Sequence, residues 1–222
     1  MKLYRFKQFR KYLPFIFEND SLKEVDPWWK FKTAVNSFNA IRKERCISSY
    51  LKVFDESMSA WRPRTSKTGG LPNISFILRK PEPLGTEFKN ICCGETGIMQ
   101  CLEICRGKEG MKEKRLQREL GATAACTVRL TELCHQEQHS PKDLVMGDAW
   151  FGSVKAATEL AKRNSASILQ VKTNHKLFPK DYIDKALEDA LGGTHIVLKG
   201  MFIVSVYSII IRLILTYFCL FT

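Results

Sequence analysis

The stretch Phe54–Arg64, FDESMSAWRPR, places a carboxylate, Asp55, between a run of strand-forming residues and a basic loop. The preceding run, Ile47–Phe54, contains the β-branched and aromatic residues that favour strands. The loop is polar and rich in Pro and Gly, and it carries three cations: Arg62, Arg64 and Lys67. An Asp at a strand end beside such a loop can hold a divalent metal ion against a phosphate backbone, although the loop is equally compatible with a solvated turn.

A second carboxylate of this kind, Asp148, lies in LVMGDAWFGS, residues 144–153. A short buried strand is predicted before it, and Ser153 is predicted to cap a helix after it. The two Asp residues are 148 minus 55, or 93, positions apart, which leaves room for intervening strands within one domain. Spacing alone leaves a structural role open, because Asp55 can cap a turn and Asp148 can cap the following helix.

The hydrophobic pattern predicts a mixed α and β domain. Two helices lead into it, one within Met1–Phe17 and one that begins at Pro27. Three antiparallel strands are then expected, followed by alternating strands and helices. The predicted strands are Ile47–Phe54, Ile74–Arg79, Ile98–Cys105, Leu144–Met146, Ser167–Thr173 and Thr194–Leu198, with a charged linker or exposed helix over Gly107–Gly121.

The composition allows one substantial core and favours anionic partners. The chain has 222 residues, 45% of them hydrophobic, and a formal net charge of +12. Such a charge suits nucleic acid or an anionic membrane surface and does not choose between them. The eight cysteines include no Cys-x2-Cys pair, so we expect reduced thiols and an intracellular protein. Cys134, His135 and His139 form at most a partial metal motif, since no second ligand pair completes a tetrahedral set.

The segment Met201–Thr222 is apolar and carries a single charge, Arg212. Its 22 residues are long enough to span a bilayer as a helix. With Lys199 before it and no charge after Arg212, it predicts a C-terminal tail anchor with the preceding domain in the cytosol. The alternative is translated intronic or out-of-frame sequence that was never selected as a membrane span.

An ordered series of motifs gives the chain a specific resemblance. Together they resemble the catalytic domain of piggyBac-type transposases, and more narrowly the piggyBac transposable element-derived proteins. The resemblance covers about Tyr12 to Gly200, and DPWW at residues 26–29 also falls in the family's order. The motifs are DESM (55–58), WRPR (61–64), GLPN (70–73), RKPEPLGTEFK (79–89) and GDAWFGS (147–153).

The resemblance implies an incomplete RNase H-like (DDE transposase) domain over residues 46–200. Residues 1–45 would then be a helical lead-in region, and residues 201–222 a hydrophobic tail. In this fold the first strand and a later parallel strand lie side by side, so that Asp55 and Asp148 converge at one edge of the sheet. The family's chemistry is DNA strand cleavage and joining with two Mg²⁺ ions about 3.5–4 Å apart. Asp55 and Asp148 are thus the expected ancestral catalytic and Mg²⁺-binding residues.

The family's third catalytic carboxylate has no counterpart that we can identify, because the resemblance ends near Gly200. We therefore expect a truncated relic that lacks strand-transfer activity, binds no Mg²⁺ tightly and retains weak, non-specific affinity for DNA through Arg62, Arg64 and Lys67. The resemblance implies a nuclear protein. The alternative is a non-enzymatic, tail-anchored membrane protein in which the relic domain serves as an interaction module. An active enzyme would require the missing carboxylate.

Overall fold

The computed structural model describes residues 2–12, 26–61, 73–136, 142–172, 174–175, 178–188, 195–199, 203–207 and 217–220. Helices and strands alternate in the second half of the chain, as the hydrophobic pattern predicts. The helices are α1 (Leu3–Tyr12), α2 (Trp29–Arg45), α3 (Gly107–Lys112), α4 (Gln117–Leu120), α5 (Ala122–Cys134), α6 (Val154–Ala161) and α7 (Lys180–Ala186). The strands are β1 (Leu51–Ala60), β2 (Ser75–Phe76), β3 (Leu84–Cys93), β4 (Met99–Ile104), β5 (Leu144–Gly147), β6 (Ala166–Gln170), β7 (His195–Lys199), β8 (Ile203–Tyr207) and β9 (Tyr217–Leu220).

A mixed sheet with the strand order β4-β3-β1-β5-β6 forms the centre of the domain. β3 is antiparallel to both β1 and β4, whereas β5 is parallel to both β1 and β6. The chain crosses from β4 to β5 through α5 and from β5 to β6 through α6. Three antiparallel strands followed by two parallel crossovers is the arrangement predicted for an RNase H-like domain, and the side-by-side placement of β1 and β5 is confirmed.

The core lies between this sheet and helices α5 and α6. Phe54 of β1 stacks on Phe151 with the ring centroids 5.1 Å apart. Apolar side chains from both crossover helices complete the cluster, which includes Ile91, Ala124, Cys126, Leu130, Val145, Ala157, Leu160 and Leu169. Burial of several side chains of this size, at about 1.5–3 kcal/mol each, fixes the sheet against the helices.

Two elements lie where the sequence pattern predicts none. β3 spans Leu84–Cys93, whereas the second predicted strand, Ile74–Arg79, is reduced to the two residues of β2. β1 and β3 approach closely at Gly85, where an added Cβ would lie 2.1 Å from the Ser59 carbonyl oxygen. α5 is the second unpredicted element, and nine of its thirteen residues are buried.

The first strand is longer than predicted. β1 begins at Leu51 and continues to Ala60, so Asp55 lies in the middle of the strand and not at its end. β1 pairs with β3 from Lys52, opposite Cys93, to Ala60, opposite Gly85, so the residues after Phe54 are also held in the sheet. β5, in contrast, stops at Gly147, immediately before Asp148.

The lead-in helix α2 is attached to the sheet through β4. The Asn39 side chain donates a hydrogen bond to the Leu102 carbonyl and accepts one from the Leu102 amide, both at 2.9 Å. The apolar side chains of this segment are only partly buried: Trp28 and Trp29 are inside, whereas Phe31 and Ile41 are 41% and 56% exposed.

The apolar tail does not form the predicted membrane helix where the structure describes it. Ile203–Tyr207 and Tyr217–Leu220 are the strands β8 and β9, and β9 pairs with β6. The described parts of this tail contain β-branched and aromatic residues, which favour strands when a sheet edge is available for pairing. Among the described residues, no helix is both long enough and apolar enough to cross a bilayer.

Candidate functional site

The pairing of β1 with β5 brings Asp55 and Asp148 together. The last paired residues of the two parallel strands are Val53 and Met146, and Asp55 and Asp148 each lie two positions further along. Gly147 still packs against Phe54, since an added Cβ there would lie 3.3 Å from the Phe54 ring. Neighbouring strands are about 4.8 Å apart, so the two carboxylates leave adjacent stretches of backbone at one edge of the domain.

Each carboxylate is exposed and is held by a neighbouring amide. The Glu56 amide donates to Asp55 Oδ1 at 2.7 Å, and the Trp150 amide donates to Asp148 Oδ1 at 2.9 Å. The Asp148 carbonyl also accepts from the Phe151 and Gly152 amides, which makes the segment after β5 a tight turn. The cap of α6 is Ser153, whose hydroxyl accepts from the Ala156 amide at 3.0 Å, so Asp148 is not the helix cap.

A buried lysine supports the segment that carries Asp148. Lys89 of β3 is 2% exposed, and its ammonium lies 3.5 Å from the centre of the Trp150 ring. The same ammonium pairs with Glu87 at 2.6 Å, and Trp150 packs edge-on against Phe151 with the centroids 4.8 Å apart. These contacts fix the turn 148–151 against the sheet, and with it the position of Asp148.

Two further cations, Arg79 and Lys80, were not predicted as site residues. They form ion pairs with Glu56, the buried neighbour of Asp55 in β1, whose side chain lies on the opposite face of the strand from Asp55. The motif at residues 79–89 contains both, but a loop cation beside several prolines gives no signal that it returns to β1. Arg62, Arg64 and Lys67, the predicted DNA contacts, lie outside the described residues.

Asp55 and Asp148 supply the kind of donor that a hard divalent cation prefers. Both residues are exposed and follow neighbouring paired stretches of β1 and β5, so their carboxylate oxygens are accessible to a metal ion that is shared with a phosphate. Across the described ranges, no group of three or more His, Cys, Asp and Glu side chains is arranged to hold a metal ion. A divalent cation bound by Asp55 and Asp148 would therefore need water and substrate oxygens as its remaining ligands.

The partial metal motif at Cys134 and His135 has other contacts. His135 Nδ1 lies 2.7 Å from Asp143 Oδ2, and Cys134 is buried. A hydrogen bond to Cys101 and burial together raise the pKa of the Cys134 thiol. His139 lies outside the described residues. These contacts give Cys134 and His135 structural roles.

An ionic cluster on the helical side of the sheet is also structural. Glu103 of β4 receives two hydrogen bonds from the Arg129 guanidinium, at 2.7 and 2.8 Å. Burial alone would raise the pKa of Glu103, but the Arg129 hydrogen bonds and the Lys114 charge hold it below its usual value. The cluster joins β4 to α5 and lies in the packed interior of the domain.

Comparison with solved structures relates the fold to a transposase. Over 90% of this chain and 39% of the other, the chain is similar to piggyBac transposase in its synaptic complex with hairpin DNA, with a TM-score of 0.72 and 16% sequence identity. Endonuclease V of Ciona intestinalis, solved with a 24-mer DNA, aligns over 86% of this chain and 82% of its own at 12% identity. The TM-score of that second alignment is 0.32, which does not establish a common fold.

The first similarity shows an RNase H-like fold of the DDE transposase type, and the chain spans well under half of the solved piggyBac transposase chain. No curated protein matches the sequence. The family model described as Transposase IS4 matches residues 1–208, which is most of the chain. With the strand order and the motif series in agreement with that match, the chain belongs to the Transposase IS4 family of DDE transposases, as a transposase-derived domain with the piggyBac fold.

Proposed function

We propose that this chain is a transposase-derived DNA-binding domain that keeps two ancestral metal-binding carboxylates and does not cleave DNA. Asp55 and Asp148 are the retained catalytic and Mg²⁺-binding pair. Arg62, Arg64 and Lys67 contact phosphates without reading the base sequence. A protein of this kind acts on chromosomal DNA, and we place it in the nucleus.

The observation that carries the proposal is the register of β1 and β5. Val53 and Met146 are the last pair of these parallel strands, and Asp55 and Asp148 each follow two positions later, which supports their convergence at one edge of the sheet. Arg79 and Lys80 are not part of this site, because they pair with Glu56, whose side chain lies on the opposite face of β1 from Asp55. Two exposed carboxylates on neighbouring stretches of chain, followed by the basic loop after β1, form a site at which a phosphate and a metal ion can meet.

The chain's own residues hold and orient the reacting groups. Backbone amides fix one oxygen of each carboxylate, which limits the directions in which the other oxygen can point. Asp55 and Asp148 would hold a divalent ion, whose chemistry in ancestral phosphoryl transfer would be to activate the attacking oxygen and stabilise the leaving oxygen. Arg62, Arg64 and Lys67 of the loop after β1 neutralise the approaching phosphate backbone.

We propose that the chain does not cleave DNA because only two of the family's three catalytic carboxylates, Asp55 and Asp148, are identified. Asp181 lies in α7, after the last central strand, and Asp184 lies in the same helix, so neither is assigned to the site. Within the described residues, no third side chain joins Asp55 and Asp148 in a metal-binding group. A loss of about 4 kcal/mol in transition-state stabilisation slows a reaction about a thousandfold.

We predict that the carboxylate pair localises a divalent ion. If Fe²⁺ replaces Mg²⁺ in the presence of ascorbate and peroxide, backbone cleavage is expected near residues 55 and 148, because hydroxyl radicals react close to the bound ion. Mass spectrometry of the fragments gives the positions. Cleavage at both positions should fall at least fivefold in Asp55→Asn, since the amide keeps the shape of the side chain and removes its charge.

Asp181→Asn is the matched control for this experiment, because it removes one carboxylate from α7, away from β1. It should leave the cleavage pattern unchanged. A pattern that is insensitive to both substitutions, or that centres elsewhere, would rule out the two-carboxylate site.

We predict salt-sensitive DNA binding that depends on the loop after β1. The triple variant Arg62→Gln, Arg64→Gln and Lys67→Gln should bind a random-sequence duplex more weakly at 50 mM salt. The slope of log K against log salt concentration should fall by about 2–3, because each lost phosphate contact removes about 0.9 from that slope. Fluorescence anisotropy over a salt series measures both quantities.

The control for the loop variant is Lys155→Gln, Lys172→Gln and Lys185→Gln, which removes three exposed cations from elsewhere on the domain. Equal losses in the two triple variants would show that net charge alone, and not the loop, attracts DNA. An unchanged slope in the loop variant would overturn the assignment of the three contacts.

A further inference from the structure

A cavity of about 470 Å³ lies on the helical side of the sheet, between β3, the segment 105–122 and the turn after β5. Its volume falls within the range of about 300–1,000 Å³ that is typical of small-molecule sites. The side chains that matter for its chemistry are Lys89, Cys105, Lys108, Met111, Arg118 and Trp150. Neither of the proposed metal-binding carboxylates lines it.

The floor of the cavity carries no net charge. The buried Lys89 ammonium is neutralised by Glu87 at 2.6 Å and is covered on one side by the Trp150 ring. Burial, reinforced by the Glu87 charge, raises the pKa of the Cys105 thiol to about 12, so the thiol is neutral at pH 7. Met111, Ala122 and the indole of Trp150 add apolar surface. This floor suits a flat, uncharged, aromatic group.

The rim of the cavity is cationic. Lys108 and Arg118 are exposed, and within the described part of the chain neither forms an ion pair. Lys112 also lines the rim, but Glu109 neutralises it at 2.8 Å. Two uncompensated cations above a neutral floor attract an anion at the mouth, and a guanidinium binds phosphate oxygens particularly well.

We propose that this cavity binds one nucleoside phosphate, with the base against Trp150 and Met111 and the phosphate between Lys108 and Arg118. The ligand can come from either of two sources with the same chemistry, a free nucleotide or an unpaired nucleotide within DNA. The second source is within reach because the Trp150 amide donates a hydrogen bond to Asp148, one of the two carboxylates of the proposed DNA-binding site. The DNA source rests on the proposed function, whereas the free-nucleotide source does not.

The first measurement uses 2-aminopurine deoxyriboside 5′-phosphate, whose fluorescence is quenched when the base stacks on an indole. Saturable quenching is expected with the full chain. Deoxyadenosine 5′-phosphate should reverse it, and ribose 5-phosphate at the same concentration should not, because the sugar phosphate lacks the base. The double variant Lys108→Glu and Arg118→Glu should weaken binding at least tenfold, since it reverses both free rim cations.

Lys172→Glu and Lys185→Glu is the matched control, because it reverses two exposed lysines outside the cavity. It should bind the probe as the original chain does. Trp150→Phe keeps an aromatic wall and should retain binding with weaker quenching. Probe binding that is equal in the rim variant and the control, or competition by ribose 5-phosphate as strong as by the nucleotide, would overturn the proposal.

A second measurement separates the two sources. A duplex with one unpaired 2-aminopurine should bind at least fivefold more tightly than a fully paired duplex, and the rim variant should lose this preference. If the free nucleotide binds but the bulged duplex shows no preference, the pocket serves free nucleotides. If neither duplex binds while the free nucleotide does, the proposed DNA function fails and the pocket stands. If no nucleotide binds in either form, the pocket proposal is overturned.

Discussion

Replacement of Asp143 by Ala is expected to lower the free energy of unfolding by about 3–5 kcal/mol. Asp143 and Lys52 are both fully buried, and the Lys52 ammonium lies 3.0 Å from Asp143 Oδ1. That oxygen accepts no well-directed hydrogen bond within the described residues, so charge holds it in place. Among the residues that the structure describes, removal of the carboxylate leaves the buried Lys52 ammonium with only the Ser48 and Ser49 oxygens as partners.

Urea unfolding monitored by circular dichroism measures this loss. The matched control is the double variant Lys52→Met and Asp143→Leu, which removes both charges and keeps the apolar volume. A buried ion pair replaced by apolar side chains is often neutral or stabilising, so the double variant should be markedly more stable than Asp143→Ala. A loss below about 1 kcal/mol in Asp143→Ala would show that water or another group compensates Lys52.

The buried pair also bears on the candidate site. Lys52 lies in β1, and Asp143 immediately precedes β5, so the ion pair joins the two parallel strands near their first paired residues. A register slip of one residue would move every side chain of a strand to the opposite face. The pair disfavours such a slip, and the intact register is what sets Asp148 beside Asp55.

This ion pair could not be predicted from the sequence. A Lys between Leu51 and Val53 in a strand pattern indicates a solvent-exposed position, yet it is fully buried. Its partner is 143 minus 52, or 91, residues away, and only the pairing of β1 with β5 brings the two together. Sequence periodicity reports on one element at a time and contains no information about such long-range partners.

The elements that the sequence did not predict share a physical cause. Leu84–Cys93 alternates poorly, because Lys89 and Asn90 are buried next to Ile91. α5 buries Thr127, Arg129 and Thr131 together with its apolar residues, so it shows no amphipathic stripe. A period of 2.0 or 3.6 appears only when one face of an element meets water, and both of these elements are covered on more than one side.

The candidate site was more accessible to sequence reasoning than the elements around it. Asp55 and Asp148 lie in short sequence motifs that occur in the family's order. That order predicted that their strands are neighbours, and β1 and β5 are paired in the structure. The position of Asp55 in its strand was not predicted, since it lies within β1 and not at its end, whereas the Ser153 cap of α6 was predicted and is confirmed. The contribution of Lys89 to the site was not predicted, because it depends on a contact with Trp150, which is 150 minus 89, or 61, residues later in the chain.

Replacement of Gly152 by Ala is expected to lower the free energy of unfolding by about 3 kcal/mol, at the upper end of the range for overpacking. An added Cβ would lie 1.8 Å from the Gln170 carbonyl oxygen of β6, and backbone cannot move aside as a flexible side chain can. The Gly152 amide also donates to the Asp148 carbonyl at 2.9 Å. Relief of the clash must therefore displace the turn that carries Asp148.

The matched control is Gly97→Ala, where an added Cβ meets nothing within 4 Å. Its only cost is the left-handed backbone conformation at a φ of +69°, which is about 1–2 kcal/mol for a residue with a Cβ. Urea unfolding should separate the two variants, and Fe²⁺-directed cleavage near residue 148 should fall in Gly152→Ala alone. If the two variants lose the same stability and keep the same cleavage pattern, β6 yields to the added methyl group and the turn does not depend on close contact with it.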